Sequence, residues 1–406
     1  MKNNKIFSWA LYDWANSAYA TIVLAGFYPI IYAELFASSL SDADRTLTLG
    51  IANSSASLFL ILLAPILGLL ADKNESKKKF LMTFAFIAII STLLLSLVGL
   101  NNWIIASILF SISLFGFMLS NVFYDSMITE FNGSGDYDSV SAYGYALGYL
   151  GGGLAFVLSL LFLYFNNDSL NTFITNKTIV FIFTSFWWLI FMIPLILYWP
   201  QKNINKPNLS KVSLKDTYQH IVSNKKLLIF LLSYWIYIDG VDTIIRMAVN
   251  YGITLDFTSS DLLIALLLIQ FIGFPSTLFF GYYANRFSTS SGIKICLYVY
   301  LLITVLSYQL TSIYEFYLIA VLIGLVQGGI QSLSRSYFAK IIPNGRSSEF
   351  FGVYNMLGKF AALIGPLTVG LITYTFDSSR LGILSLSIFF IVGLYLFNKQ
   401  SKMSLS

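Results

Sequence analysis

The chain has 406 residues, of which 57% are hydrophobic and only 11% are charged, and its mean hydropathy is +0.75. Soluble globular proteins carry about 25% charged residues, so this composition predicts an integral membrane protein. The single His220 and the single Cys296 exclude a His/Cys zinc site, a disulfide framework and a Cys/His nucleophilic pair. No GxxxxGK[ST] loop is present to bind ATP phosphates. We therefore expect no ATP, no cofactor and no metal.

Twelve apolar runs are long enough to cross a bilayer as helices, which need about 20 residues each. Charged and Asn/Pro/Gly-rich breaks set their limits. In chain order the predicted segments 1 to 12 are 7–36, 46–71, 80–100, 103–131, 140–165, 178–199, 227–251, 261–284, 293–312, 316–342, 350–376 and 381–397. The predicted fold class is an all-α integral membrane protein with twelve transmembrane helices.

The positive charges are sorted by loop. With the N-terminus inside, eighteen Lys and Arg residues fall on the cytoplasmic side, and the opposite side has only Arg45, Lys177 and Arg380. Cytoplasmic loops retain positive charge, so we expect a multi-pass protein of the plasma (inner) membrane with both termini in the cytoplasm. The net charge of +5 is then a topology signal, and no nucleic-acid partner is expected.

The longest polar connection, 200–224, divides the chain into two sets of six segments. The predicted domains are an N-terminal six-helix bundle (1–199), this cytoplasmic linker (200–224) and a C-terminal six-helix bundle (225–406). Within the linker an apolar face is formed by Leu214, Tyr218, Ile221 and Val222. This spacing predicts a short helix that lies on the inner membrane surface.

The two halves contain a faint internal repeat. Segment 2 ends with Gly68 and Asp72, and segment 8 ends with Gly281 and Asn285 at the same spacing. The starts of segments 5 and 11 show a similar echo of paired glycines. Echoes at the same ordinal positions predict two pseudo-symmetric bundles in parallel orientation with a cavity between them.

The loop after segment 2 resembles the cytoplasmic signature of the major facilitator superfamily. Its matching residues are Gly68, Asp72, Lys73, Lys77 and Lys78. The resemblance implies that the Asp and the basic residues latch the two halves together on the cytoplasmic side, near helix 11. Glu75 stands where a second Gly is usual, and Asn285 replaces Asp in the second copy, which implies a weaker second latch.

Further stretches are similar to one branch, the unknown major facilitator family related to the vacuolar amino-acid effluxers of autophagy. They are residues 9–19, 144–153, 239–246, 327–335 and 350–359, and they are spread over nearly the whole chain. The resemblance implies a monomeric solute transporter in contact with membrane lipids. The amino-acid role of the eukaryotic relatives suggests the substrate class.

Several charged residues interrupt the apolar segments. A charge at the bilayer centre costs at least ~2.5 kcal/mol, so such residues face a cavity, pair with one another, or both. Asp239, Asp242 and Arg246 share one face of segment 7. Asp242 and Arg246 could neutralise each other, which would leave Asp239 for a substrate or a proton. Lys359 in segment 11 either bridges to one of these carboxylates or binds an anionic group of the substrate.

Neutral polar residues extend this set. The candidate substrate-binding residues are Asp239, Asp242, Arg246, Gln327, Gln331, Asn355, Lys359, Asn16, Tyr12 and Tyr237. The candidates for proton coupling or gating are Asp13, Asp125 and Arg335, with structural pairing as the alternative. Buried carboxylates make proton coupling chemically available.

These residues predict a secondary active or facilitative transporter that moves a small polar solute by alternating access. An amino acid or a similar zwitterion fits best, with its ammonium group on Asp239 or Asp242 and its carboxylate on Lys359 or Arg246. Three alternatives remain: an exporter of lipid-like or drug-like compounds, an intramembrane lipid-modifying enzyme, and a non-transporting sensor.

Overall fold

The structure is a computed structural model that describes residues 2–74, 76–131, 137–165, 170–199, 213–255 and 257–403. Residue Glu75 of the signature loop and residues 200–212 of the predicted linker lie outside the described residues. Within the described ranges all regular structure is helical.

Twelve helices of the described chain are long and apolar enough to cross a membrane. In order they are α1 (Asn4–Phe36), α2 (Asp44–Lys73), α3 (Lys77–Leu95), α4 (Trp103–Phe131), α5 (Tyr137–Leu163), α6 (Thr178–Tyr198), α7 (Lys225–Ala248), α8 (Asp261–Arg286), α9 (Thr289–Gln309), α10 (Ile313–Ile341), α11 (Ser347–Phe376) and α12 (Ser379–Ser401). The predicted all-α class and the twelve segments are confirmed.

Side-chain caps determine where several helices begin. Thr258 and Asp261 form a capping box at the start of α8, and Ser312 and Glu315 form another at the start of α10. In each box the hydroxyl and the acidic side chain satisfy backbone N–H groups that have no partner inside the helix. A third box, with Ser213 as its first residue, starts the linker helix (Leu214–Ser223), which the apolar spacing predicts.

Five of the membrane helices contain a proline, among them Pro29 in α1 and Pro366 in α11. Proline has no N–H, so each one removes a hydrogen bond from the helix and weakens it locally. The helix α1 is also irregular, because it widens into π-type turns over Tyr19–Phe27 and Tyr32–Phe36. These interruptions give the long helices defined places to bend.

The chain forms two compact units. The first contains Met1–Ala64, Lys73–Asp125 and Leu147–Asn205, and the second contains Pro65–Asp72, Ser126–Ala146 and Lys206–Ser406. The second unit therefore combines the C-terminal six helices with the predicted cytoplasmic ends of α2, α4 and α5. The predicted division into two six-helix bundles (1–199 and 225–406) and a linker (200–224) stays a prediction.

Aromatic side chains fill the core of each unit. In the first unit Tyr28 stacks on Phe110 with 3.8 Å between ring centroids, and Trp9 stacks on Tyr124 at 4.4 Å. In the second unit Tyr234 of α7 stacks on Tyr354 of α11 at 4.0 Å. This last pair fixes α7 beside α11, the two helices that carry the charged residues within the membrane.

Candidate functional site

Asp239 is 2% exposed and binds the backbone of the neighbouring helix. Its Oδ1 accepts a hydrogen bond from the N–H of Gly365 in α11 at 2.8 Å and a longer one from the Thr243 hydroxyl at 3.4 Å. A Cβ at Gly365 would overlap the Thr243 hydroxyl, so only glycine permits this approach. Pro366 follows directly and lacks an N–H, which weakens α11 at the residue next to the contact.

The other three charges of this region have no direct partner in the described chain. Asp242 and Lys359 are half-buried and Arg246 is exposed, yet none of them forms a hydrogen bond or a salt bridge with a described residue. Lys359 is close enough to be attracted by Asp242 and repelled by Arg246. The pairing of Asp242 with Arg246 and the bridge from Lys359 to a carboxylate, which the sequence left open, are thus not formed here.

The polar stripe of α10 divides into two parts. Gln327 has a buried Oε1 with no hydrogen-bond partner among the described residues, and Gln331 is half-buried. Arg335 is only 1% exposed, and it donates from Nε and Nη2 to the hydroxyl and carbonyl oxygens of Ser141, both at 2.9 Å. Its guanidinium also lies 4.2 Å from the ring centroid of Tyr145. Arg335 is therefore engaged with the start of α5.

Two further candidates of the second unit, Tyr237 and Asn355, each form a hydrogen bond within that unit. The Tyr237 hydroxyl is buried and lies 2.6 Å from the Ser334 hydroxyl of α10. Asn355 is half-buried and donates from Nδ2 to the Phe351 carbonyl of its own helix at 3.1 Å. Their part in substrate binding stays a prediction.

The polar candidates of α1 and α4 belong to the first unit. Asp13 is buried and accepts a hydrogen bond from the Tyr124 hydroxyl at 3.1 Å, and Asn16 donates to the side chain of Asn121. The Tyr12 hydroxyl is fully buried and has no hydrogen-bond partner of good geometry in the described chain. Two side-chain hydrogen bonds thus join α1 to α4 in a polar patch.

Asp125 follows this patch along α4 and is also buried. It is the last residue of the first unit's second segment, directly before the point where α4 passes into the second unit. Its role in proton coupling or gating stays a prediction.

The signature loop makes a direct contact with α11. Asp72 accepts hydrogen bonds from the backbone N–H groups of Ser348 at 3.2 Å and Glu349 at 2.9 Å. It therefore caps the first turn of α11 from outside, where a negative charge also interacts favourably with the helix dipole. A Cβ at Gly68 would overlap the Ser348 carbonyl oxygen, so glycine is needed for this close packing.

The basic residues of the loop do not all share the role that the resemblance implies. Lys78 donates from Nζ to the carbonyl oxygens of Ile196 at 2.7 Å and Trp199 at 3.0 Å, at the end of α6. It thus satisfies the C-terminus of a helix in its own half instead of joining the two halves. Lys77 is buried and Lys73 is partly exposed.

A pseudo-symmetric contact lies at the end of α8. A Cβ at Gly281 would approach the Cβ of Ala142 in α5 to 2.5 Å, and Asn285 donates from Nδ2 to the Ser139 hydroxyl. Each half thus contributes one Gly-x-x-x-Asp/Asn pair that packs on the first turn of a helix from the other half. This correspondence supports the internal repeat, with a neutral amide in place of the second carboxylate.

Sequence reasoning missed the acidic residue that reinforces this second contact. Asp138 at the start of α5 is buried, and it forms a 2.6 Å salt bridge with Lys340 of α10. It also accepts hydrogen bonds from the hydroxyls of Thr289 and Ser336. An acidic residue in the first turn is an ordinary helix-start signal, so nothing in the sequence marked Asp138 as a partner of α9 and α10.

The fold is that of the major facilitator transporters. The human organic anion transporter MFSD10 has a TM-score of 0.74 and 13% identity, and the match covers 98% of this chain and 99% of that chain. The transporter FucP in its outward conformation also has a TM-score of 0.74, with 12% identity and 99% of each chain covered.

Sequence relatives identify the family. The family model described as "Vacuole effluxer Atg22 like" matches residues 1–135 and 129–401. The uncharacterized MFS-type transporter YxiO of Bacillus subtilis (strain 168) is 35% identical over 395 residues, which is 95% of this chain and 92% of that protein. Autophagy-related protein 22 of Vanderwaltozyma polyspora is 25% identical over 354 residues, 74% of this chain and 67% of that protein. The chain belongs to the Atg22-like family of the major facilitator superfamily; it is a multi-pass membrane transporter and not an enzyme.

Proposed function

We propose that this transporter moves a small zwitterionic solute, an amino acid or a close analogue, by alternating access. The observation that carries the proposal is the set of three membrane-helix charges, Asp242, Arg246 and Lys359, which lack a salt bridge in the described chain. Unpaired charges within a membrane helix are costly, and they are retained where they serve an ion or a substrate. One negative and two positive side chains match a ligand that carries both signs of charge.

Each end of such a ligand has a suitable partner. Asp242 is the carboxylate assigned to the ammonium group, because Oδ1 of Asp239 is already occupied by Gly365. Lys359 and Arg246 are assigned to the carboxylate of the ligand. The unsatisfied Gln327 Oε1 supplies a further acceptor for an ammonium N–H. Asp239 holds α7 against α11 through its bond to Gly365.

Neutral residues complete the proposed site. Gln331, Asn355 and Tyr237 extend the polar lining of the second unit. Tyr12 and Asn16, which lie in the first unit, stay candidates for substrate hydrogen bonding on the strength of the sequence. The description of the matching family, "Vacuole effluxer Atg22 like", supports a transport role.

The gating role is assigned to the contacts of Arg335 and Asp72. Both join the C-terminal helices to helix ends from the N-terminal half within one compact unit. Breaking these contacts is the step that would open the predicted cytoplasmic side. Asp13 and Asp125 are proposed for proton coupling, with a substrate or proton gradient as the energy source. We further propose a monomer in the plasma membrane with both termini in the cytoplasm.

Thermal stabilisation tests the substrate class. The purified protein in detergent is heated with amino acids, sugars, nucleosides or organic acids, and a ligand at 100 times its Kd stabilises the native state by about 2.7 kcal/mol. We expect amino acids to raise the Tm of the wild type and of a Lys399→Gln control, but not of Asp242→Asn or Lys359→Gln. Stabilisation by organic acids alone, or equal stabilisation of all four proteins, would overturn the assignment.

Transport itself is measured next, with proteoliposomes and the radiolabelled amino acid that gives the largest Tm shift. Uptake that is lost in Asp242→Asn and Lys359→Gln but kept in Lys399→Gln supports the site. Uptake that persists in both charge variants places the substrate elsewhere in the protein.

A further inference from the structure

The linker helix presents three distinct faces. One face contacts the protein through the buried Thr217 and the half-buried His220 and Ile221. A second face is polar and exposed, and it contains Asp216, Gln219 and Ser223. The third face is apolar but exposed, and it contains Leu214 at 38%, Tyr218 at 69% and Val222 at 46% exposure.

The protein-facing side is tied to the start of α11. Nη2 of Arg346 donates to the Thr217 hydroxyl at 2.7 Å, and the His220 ring packs edge-on against Phe350 with 5.6 Å between centroids. Arg346 also forms a two-pronged salt bridge with Glu349, at 2.9 and 3.1 Å. The linker helix therefore holds the residue that precedes the first turn of α11.

This contact continues into the signature loop. The backbone N–H of Glu349, whose side chain binds Arg346, donates to Asp72 at 2.9 Å. A chain of direct contacts thus runs from Thr217 through Arg346 and Glu349 to Asp72. The linker helix is therefore connected through direct contacts to the cap that Asp72 provides.

The exposed apolar face has the properties of a membrane-surface helix. It lies beside the docking face, about a quarter turn around the helix, so docking on α11 leaves Leu214, Tyr218 and Val222 uncovered. Lys215 borders this face and is exposed, and Lys225 and Lys226 follow at the start of α7. Apolar side chains flanked by lysines suit an interfacial helix, because each lysine near an anionic surface contributes about 1 kcal/mol.

We propose that the apolar face of the linker helix binds the headgroup region of an anionic lipid leaflet, and that this binding strengthens the Thr217–Arg346–Glu349–Asp72 chain. Charge complementarity selects the occupant: three lysines and three large apolar side chains fit a lipid surface that is negatively charged and apolar below its headgroups. Lipid composition then regulates how firmly α11 is capped. The inference does not depend on the identity of the substrate.

Site-directed spin labels test the position of the helix. In a Cys296→Ala background, single cysteines replace Tyr218 on the apolar face or Gln219 on the polar face, and the full-length protein is reconstituted into phosphatidylcholine vesicles with or without phosphatidylglycerol. We expect the label at 218 to collide with oxygen and the label at 219 with a water-soluble nickel complex. Phosphatidylglycerol should increase the difference in oxygen and nickel accessibility between the two labels. Lys215→Gln should reduce this increase about fivefold. Equal water access at both positions, or a contrast that ignores phosphatidylglycerol, overturns the proposal.

Hydrogen–deuterium exchange tests the connection to Asp72. In the same vesicles, phosphatidylglycerol should slow exchange of the Ser348 and Glu349 amides severalfold in the wild type. Thr217→Val, which removes the hydroxyl that Arg346 binds, should abolish this effect. Thr368→Val is the matched control, since the Thr368 hydroxyl donates to the Ile364 carbonyl of its own helix. The same slowing in both variants would show that the linker helix does not act on α11. Neither measurement requires substrate, so failure here is separate from failure of the transport proposal.

Discussion

The Asp239 carboxylate in α7 accepts the backbone N–H of Gly365 in α11 at 2.8 Å, across 126 positions of sequence. The contact is made beside Pro366, where α11 lacks one of its own hydrogen bonds. The buried Asp239 side chain thus joins α7, which carries Asp242, to α11, which carries Lys359. It fixes the spacing between the two helices that carry the proposed substrate-binding charges.

Gly365→Ala is expected to destabilise the protein. Its Cβ would overlap the Thr243 hydroxyl and crowd Asp239, and overpacking of this kind costs about 1 to 3 kcal/mol. The Tm of the detergent-solubilised variant measures the loss. Gly370→Ala in the same helix is the control, because its Cβ would meet nothing within 4 Å, and alanine should be neutral or slightly stabilising there. Equal Tm values for the two variants would contradict the close contact.

Asp72→Asn should weaken the cap on α11. The variant keeps one oxygen that can accept a hydrogen bond but loses the charge and the second acceptor, and lost caps cost about 0.5 to 2 kcal/mol. Faster deuterium exchange at the Ser348 and Glu349 amides is the direct measurement. Asp377→Asn, at the other end of α11, is the control and should leave these two amides unchanged.

Asp242→Asn and Lys359→Gln should be only weakly coupled in their effects on stability. The two side chains attract each other but form no salt bridge, so their coupling energy should be smaller than that of a pair in direct contact. A double-mutant cycle on the free energy of unfolding checks this. The cycle of Asp138→Asn with Lys340→Gln serves as the contrast, because that pair is in contact at 2.6 Å and should show coupling. Strong coupling between Asp242 and Lys359 would indicate a structural pair.

Docking of the linker helix should weaken in acid. Partial burial and the nearby positive charge of Arg346 lower the pKa of His220 below its ordinary value of 6.5, so the docked helix favours the neutral imidazole. The contribution is complete above pH 6.5 and is lost as the pH falls from there through the lowered pKa. Hydrogen bonds from Ser213 lower the pKa of Asp216 below 3.8, so the capping box keeps its charge throughout this window.

Amide exchange of the linker helix between about pH 7.5 and pH 5, corrected for intrinsic rates, measures the effect. His220→Gln should remove the pH dependence and retain docking through Thr217. The other charges near this contact are Arg346, Glu349, Asp72, Asp216 and Lys215. Of these, the Glu349 carboxylate is the second candidate to gain a proton as the pH falls. Unchanged pH dependence in His220→Gln would assign the effect to Glu349.

The sequence alone determined the fold class and the family. Hydrocarbon thickness requires about 20 apolar residues for each span, so twelve such runs specify twelve helices without any tertiary information. The spacing of Gly68 and Asp72 indicated a facilitator-type loop by resemblance, and helical periodicity placed Asp239, Asp242 and Arg246 on one face of α7. Each of these patterns involves residues within a few turns of one helix, so the sequence is sufficient to recognise it.

Only the tertiary structure decided which charges are paired. Asp239 binds Gly365, and Arg335 binds Ser141 across 194 positions, whereas Asp242 and Lys359 form no direct bond in the described chain. Periodicity reports the face on which a side chain lies but not what the neighbouring helix presents there. The partner of Asp239 is also a backbone N–H, which every residue except proline possesses and which no sequence pattern can distinguish. Its availability depends on how closely α7 and α11 pack, and glycine at 365 makes that packing possible.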